Sequence, residues 1–374
     1  MNNIQKLADL GQSIWYDNIS RGVIKRGELK KMVDEGLLGV TSNPTIFDKA
    51  ISGSADYDDQ LRDLVSANPN VDAGEIIQAL MVRDIQMACD VLKVAFDKTK
   101  GKDGYVSIEV TPNKARDTKA TVEEVRELWK KVNRKNLMVK IPATKEGLPA
   151  IEQSISEGMN INVTLIFSAE RYREVANSFI TGLERRAKEG KPIDHVASVA
   201  SVFVSRIDTL VDDLLTKKDA TKFKPLMGKA AVANTKFIYQ AFNEIFNAPR
   251  FAALKAKGAS VQRPLWGSTG TKNPAYSDLL YVDTLIGPHT VNTVPPATYA
   301  AILDHGSPVL TVELDLNGAR KALSEVGTAG VDIKWVLEKL EADGVAAFEK
   351  SFDGLYKNLQ EKKGQIVEES VPTP

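Results

Sequence analysis

What the chain has little of narrows its function first. One of its 374 residues is cysteine, Cys89. No internal disulfide is possible, so a reducing, cytoplasmic setting is the expectation. Cys89 lies in a helical pattern and reads as packing. The three histidines, His195, His289 and His305, show no ligand spacing, which argues against a zinc site or a Ser-His-Asp triad. No metal and no cofactor are therefore expected. No G-x-G-x-x-G follows any candidate strand, which leaves a dinucleotide site unsupported. Neither sign of charge is in excess, with 49 basic and 49 acidic residues. Neither nucleic acid nor an anionic membrane is an expected partner. No run approaches the roughly 20 apolar residues of a membrane span, and Met1 to Lys6 shows no signal-peptide core. Without repeats, low-complexity tracts or a Gly/Ser linker, a single domain over 1–374 is the default.

What is present centres on Leu137-Met138-Val139-Lys140-Ile141-Pro142-Ala143-Thr144. The apolar residues suit a buried strand, and a lysine inside it is out of place. Desolvation favours the free amine, a nucleophile towards carbonyl carbon. Pro142 cannot donate to a sheet ladder, so the strand is expected to end beside Lys140. That is the strand end at which α/β barrels carry chemistry. On the octapeptide alone, Lys140 is as well read as snorkelling at a sheet edge or paired to a carboxylate.

The remaining elements alternate. Ser13 to Ile19 reads as a strand ending near Asp17, itself an ordinary loop-cap residue. A short helix, Leu29 to Leu37, stops near Gly36. Gly39 to Phe47 is a strand running into a turn at Asn43-Pro44, where Asn43 is a turn former or a ligand amide. Asp72-Ala73-Gly74-Glu75 opens a helix. Tyr105 to Val110 is a strand with Glu109 near its carboxyl end. Thr121-Val122-Glu123-Glu124 reads as a capping box. Asn160 to Phe167 is a strand in which Asn162 and Thr164 share one face. Ser168 caps a helix over Ala169 to Lys188. Ala197 to Arg206 is a strand bearing Ser201, followed by a helical insertion from Ile207 to Lys257. Arg263 to Gly270 is a seventh strand and Leu280 to Gly287 the candidate eighth. Eight such units predict a (β/α)8 TIM barrel with additional N- and C-terminal helices. A doubly wound open sheet is the other architecture this alternation allows. Val345, Phe348, Phe352, Leu355 and Leu359 form a C-terminal amphipathic stripe that must pack on something. The polar stretch 364–374 reads as a disordered tail.

On this map Asp17, Asn43, Glu109, Lys140, Asn162, Thr164 and Ser201 meet at the carboxyl-end face. One amine, two carboxylates, amides and hydroxyls suit imine chemistry on a polyhydroxylated carbonyl compound. Each residue alone also has an ordinary structural use.

These residues carry a resemblance. Thr41-Ser42-Asn43-Pro44-Thr45, Leu137 to Thr144, and Gly158-Met159-Asn160-Ile161-Asn162-Val163-Thr164-Leu165-Ile166-Phe167-Ser168 resemble the signature stretches of transaldolases. They occur in the right order, and the Gly270-Thr271-Lys272-Asn273 loop resembles the longer bacterial subclass. The resemblance implies transfer of a dihydroxyacetone unit in the pentose phosphate pathway. The donor is sedoheptulose 7-phosphate or fructose 6-phosphate, and the acceptor glyceraldehyde 3-phosphate or erythrose 4-phosphate. It implies Lys140 as the Schiff-base lysine and Asp17 as the base on the C4 hydroxyl. Glu109 is then the acid/base working through a water near Thr164. Asn43 and Asn162 bind the dihydroxyacetone part, and Ser201, Arg206 and Lys272 bind phosphate. A monomer or homodimer acting on sugar phosphates is the expectation. A related fructose 6-phosphate or deoxyribose phosphate aldolase, or a non-enzymatic sugar-phosphate-binding barrel, are the alternatives.

Overall fold

The computed structural model describes residues 1–369, with side chains as far as Val367. Eight strands close a barrel in sequence order: β1 (Gln12–Tyr16), β2 (Gly39–Val40), β3 (Tyr105–Glu109), β4 (Leu137–Pro142), β5 (Ile161–Ile166), β6 (Ser198–Phe203), β7 (Arg263–Gly267) and β8 (Thr290–Val294). All pairs are parallel, and β1 closes on β8 from Gln12↔Thr290 to Tyr16↔Val294. This is the (β/α)8 barrel, not an open sheet.

Strand parity divides the core in two. Outward residues such as Ile14, Val106, Ile108, Val139, Ile141 and Val163 join the large apolar core beneath the helices. Inward ones, Trp15, Tyr105, Met138, Val199, Leu265 and Val291, pack together in the lumen as a separate cluster. Trp15 fits there because β2 carries Gly39: a Cβ at that position would lie 2.4 Å from the indole Cδ2. The lumen floor is closed by Asp103. It accepts from Trp15 Nε1 at 2.8 Å and pairs with Arg263 at 3.0 Å. Two residues further along each strand, the same inward face carries Asp17, Ser107, Lys140, Ser201, Gly267 and Thr293. A period of two thus places the chemistry on top of the apolar plug.

Several expectations are corrected. β4 does end at Pro142, two residues past Lys140, with the proline itself as the last strand residue. Val139 and Ala143 donate toward β5 while Lys140 O accepts from Val110 on the β3 side. The missing Pro142 N–H therefore falls on the β3 side, beyond the last β3–β4 pair, Glu109↔Lys140, and no ladder bond is lost. The expected eighth strand at Leu280 to Gly287 contains a short helix, Leu280–Asp283, and the true β8 lies downstream. A short apolar run reads equally as either element. Here Tyr281 is tied by its hydroxyl to Asp208 at 2.8 Å, which fits a helical turn packed outside the barrel.

Thr121 and Glu124 form no capping box. Their helix, Thr118–Val132, is capped by Asp117. Thr121 Oγ1 donates to Lys114 O at 2.8 Å, and Glu124 accepts from Thr111 N and Oγ1 at 3.0 and 2.6 Å. The pair pins the loop that follows Glu109. The strand at Gly39 ends at Val40, and Asn43 caps the helix Pro44–Ser52. The Ile207 to Lys257 insertion is the β6–β7 connection. Its helices are Ser205–Phe223, Ala230–Phe246 and Pro249–Lys255. The final helix, Ile333–Glu369, continues into the 364–374 stretch where a disordered tail is expected; residues 370–374 lie outside the described residues.

That helix lies across the carboxyl-end face. Ser351 hydrogen-bonds Thr45 at 2.8 Å, Phe348 packs edge-on against Phe203 at 6.4 Å, and Tyr356 OH donates to Asp72 at 2.8 Å. No helix among the described residues is long and apolar enough to cross a membrane.

Candidate active site

The centre is Lys140, 4% exposed. Its Nζ lies 3.0 Å from Glu109 Oε2 and donates to Ser42 O at 3.0 Å. That carbonyl is held in place because Ser42 Oγ donates to Ser107 O at 2.7 Å. Glu109 and Lys140 are register partners on β3 and β4, so barrel pairing alone brings the carboxylate to the amine. Burial pushes the Glu109 carboxyl above the usual range, against the pull of Lys140. The proximity of Asp17 raises it further.

Asp17 follows β1, its N–H donating to Val294 O at 2.8 Å. Its Oδ1 accepts from Thr41 Oγ1 at 2.7 Å, and Thr41 contacts Thr293 Oγ1 at 2.6 Å. Burial raises its pKa, opposed by the Thr41 bond and by the charges of Lys140 and Arg206. A buried and a half-buried carboxyl thus flank one lysine, both biased towards holding a proton longer than in water.

A cavity of about 100 Å³ opens above them, lined by Asp17, Asn43, Lys140, Thr164, Ser201 and Arg206 among others. Asn43 Oδ1 caps Ile46 N at 2.9 Å, as the turn-former reading expects, and the residue also lines the cavity. Thr164 Oγ1 is buried with no hydrogen-bond partner among the described residues. Beside it, Leu165 adopts φ 61 where the β5–β6 register breaks between Val163 and Ile166. Such backbone strain costs on the order of 1–3 kcal/mol and clusters at sites of function.

Asn162 does not line this cavity. It sits behind it, fully buried, donating to Ser107 Oγ at 3.0 Å and accepting from Ser201 Oγ at 2.6 Å. It orients Ser201. Glu109 likewise approaches Lys140 from behind, and is reached from a separate cleft of about 340 Å³.

Arg206 stands in the first turn of the helix Ser205–Phe223, its Cζ 4.9 Å from the centre of the Phe203 ring. Burial lowers its pKa while Asp17 and Glu109 raise it. Among the described residues it has no carboxylate within ion-pair distance. The nearby Asp208 is occupied by Ala231 N and Tyr281 OH, each at 2.8 Å. Lys272 lies in an adjoining cleft of about 230 Å³ with Ser205, Asp208 and Tyr276. A 3.0 Å Ser205–Ser268 contact separates that cleft from the Lys140 cavity. Burial and the charge of Arg206 both lower the Lys272 pKa, which places the two cations near one another. Asp278 pairs with His305 at 3.1 Å, not with Lys272.

Sequence reasoning missed the Ser42 carbonyl, Ser107, Phe203 and Phe348. Ser107 was findable, since it shares the inward parity of Tyr105 and Glu109. The other contacts have no local signal.

Comparison with known proteins decides the family. The family model described as transaldolase/fructose-6-phosphate aldolase matches residues 14–359. The chain belongs to that family. It is 46% identical over 372 residues to the transaldolase of Trichodesmium erythraeum (strain IMS101), covering 96% of this chain and 97% of that one. It is 47% identical over 363 residues to the transaldolase of Parafrankia sp. (strain EAN1pec), covering 96% and 98%. It is 49% identical over 358 residues to that of Acidothermus cellulolyticus, covering 94% of each. A transaldolase is a transferase, and the barrel end described above is where this family's enzymatic chemistry belongs.

Proposed function

We propose that the chain transfers a dihydroxyacetone unit between sugar phosphates through an imine on Lys140. The observation that carries the reading is the Lys140–Glu109 contact of 3.0 Å, buried beneath a cavity that also exposes Asp17.

The unprotonated Lys140 amine attacks the C2 carbonyl of a ketose phosphate. Glu109, with its raised pKa, protonates the departing hydroxyl, and water leaves as the imine forms. Thr164 Oγ1, buried with no hydrogen-bond partner among the described residues, suits a water relaying that proton. Asp17 takes the proton from the C4 hydroxyl, and the C3–C4 bond breaks. Its electrons pass into the imine as an enamine, and the aldose phosphate departs. A second aldose phosphate then accepts the C3 carbon by the reverse steps. Asn43 and Ser201, the latter oriented by Asn162, bind the sugar hydroxyls. Arg206, a cation without a carboxylate partner among the described residues, holds the phosphate with Lys272. The single cysteine, Cys89, is buried and outside any disulfide, which fits work in the cytoplasm.

The test is borohydride reduction in the presence of fructose 6-phosphate, followed by peptide mass mapping. A dihydroxyacetone-derived mass is expected on Lys140 alone. Labelling of another lysine, or unchanged labelling in Lys140→Ala, refutes the reading.

A further inference from the structure

Three consecutive residues follow the short strand β2, and the middle one serves the lysine. Thr41 holds Asp17, and Asn43 caps the next helix. Ser42 is fully buried and turns its main-chain carbonyl to Lys140 Nζ at 3.0 Å. β2 pairs with β3 only as far as Val40↔Val106. Beyond that point the Ser42 hydroxyl meets the β3 backbone, donating to Ser107 O at 2.7 Å. The carbonyl is thereby tied to the strand that carries Glu109.

Ser42 O and Glu109 Oε2 each lie 3.0 Å from the lysine nitrogen, and neither residue lines the Lys140 cavity. Both approach the amine from outside it. A free amine has two N–H bonds and one lone pair. With the N–H bonds turned to these two acceptors, the lone pair faces the cavity. After attack and loss of water the nitrogen keeps one hydrogen, as the iminium C2=N⁺–H. During cleavage the C4 hydroxyl proton goes to Asp17. The C3–C4 pair becomes the C2–C3 double bond, and the C2=N pair moves onto nitrogen. The N–H bond is neither made nor broken. Of the two acceptors, a Glu109 carboxylate can take that proton and leave a neutral imine, a poor electron sink. An amide carbonyl accepts the hydrogen bond without taking the proton. Glu109 is also needed for the proton of the departing hydroxyl.

We propose that the Ser42 main-chain carbonyl holds the iminium N–H through carbon–carbon cleavage, and that the Ser42 hydroxyl fixes this carbonyl. The inference rests on the Lys140 imine proposed above. The Ser42 side chain is a positioning group: it touches no reacting atom and acts through the carbonyl.

Ser42→Ala removes the anchor and leaves the carbonyl free to swing. Ser42→Cys, close in size, keeps a weaker donor. The charged groups around the nitrogen, Glu109 on β3, Asp17 after β1 and Arg206 after β6, are the same in both variants. The experiment is single-turnover reaction with fructose 6-phosphate across pH, quenched by borohydride, with the masses on Lys140 read. A six-carbon adduct marks imine before cleavage and a three-carbon adduct imine after it. A hydrogen bond to a charged group is worth about 10- to 150-fold, so its loss should move the alkaline limb of the cleavage rate down by about one pH unit in Ser42→Ala and by less in Ser42→Cys. On that limb the ratio of six- to three-carbon adduct should rise about tenfold in Ser42→Ala. A merely structural role slows cleavage in equal proportion at every pH and overturns the proposal, as does a wild-type profile. Should Ser42→Ala fail to fold, Ser42→Cys decides by the direction of the same shift. Adduct on Lys140 in wild type with an unmoved limb in the variants sinks only the role of the carbonyl. No adduct in wild type sinks the reading on which it rests.

Discussion

Arg206→Ala is the perturbation with the sharpest separation of outcomes. The guanidinium is partly buried beside Phe203, and the nearby Asp208 is satisfied by Ala231 and Tyr281. Were Arg206 a surface charge in a protein ion pair, its removal would change little, typically below about 1 kcal/mol. As a phosphate ligand it makes charge-assisted bonds of roughly 1.5–3 kcal/mol, or about 10- to 150-fold. The assay is kcat/KM for fructose 6-phosphate and for unphosphorylated fructose, in wild type and variant. The phosphorylated donor should lose at least about tenfold and fructose almost nothing. One further effect must be separated. The Arg206 charge lowers the pKa of both Asp17 and Glu109. Its removal therefore raises both, and moves the acid limb of the rate profile to higher pH for either substrate. The comparison belongs on the alkaline plateau. Equal proportional losses for the two donors would refute the assignment. Lys272→Ala, in its more exposed neighbouring cleft, should show the same selectivity with a smaller loss.

Other perturbations test the carboxyls and the fold. Asp17→Asn should still form the imine but cleave it about 10²- to 10⁴-fold more slowly, whereas Glu109→Gln should slow imine formation; equal trapping rates in single turnover would contradict that division. Asp208 is 1% exposed, and burial raises its pKa from 3.8 to about 6. The folded state therefore holds this proton more tightly, and the stability so gained, present below pH 3.8, is lost as pH rises through about 6. That shift corresponds to about 3 kcal/mol, so the stability of Asp208→Asn relative to wild type should increase between pH 4 and 7 in denaturant titrations. A flat difference excludes a titrating Asp208. Gly39→Ala puts a methyl 2.4 Å from the Trp15 ring. It should destabilise by about 1–3 kcal/mol, with Trp15 fluorescence reporting the displaced indole; an unshifted spectrum with wild-type stability would show that the lumen has slack.

The order and parity of the barrel were legible in the chain. Apolar strand residues alternate with Asp17 two after Trp15, Lys140 two after Met138 and Ser201 two after Val199, and a strand has no choice but to put such pairs on one face. Glu109 beside Lys140 follows once β3 and β4 are adjacent. Pro142 marked the strand end, and it can stand as the last strand residue because the rule against proline concerns the donor, and that donor faces the side where β3 has already stopped. Leu280 to Gly287 misled because an apolar run has no period that distinguishes a strand from a packed helical turn. Thr121 and Glu124 carry the spacing of a helix cap but serve the loop at Thr111.

The sequence by itself determined the barrel, the buried lysine and the carboxyl groups that meet it, because these follow from local pattern and strand parity. Only the tertiary structure decided the rest. It set Asn162 behind Ser201, left Arg206 without a carboxylate partner among the described residues and Lys272 in the next cleft, and laid Phe348 over the lysine. Those contacts join residues far apart in the chain, among them Lys140 with Phe348 and Ser42 with Lys140. An amphipathic stripe states that a helix must be covered; which surface covers it is settled only by the shape that the other elements have already made.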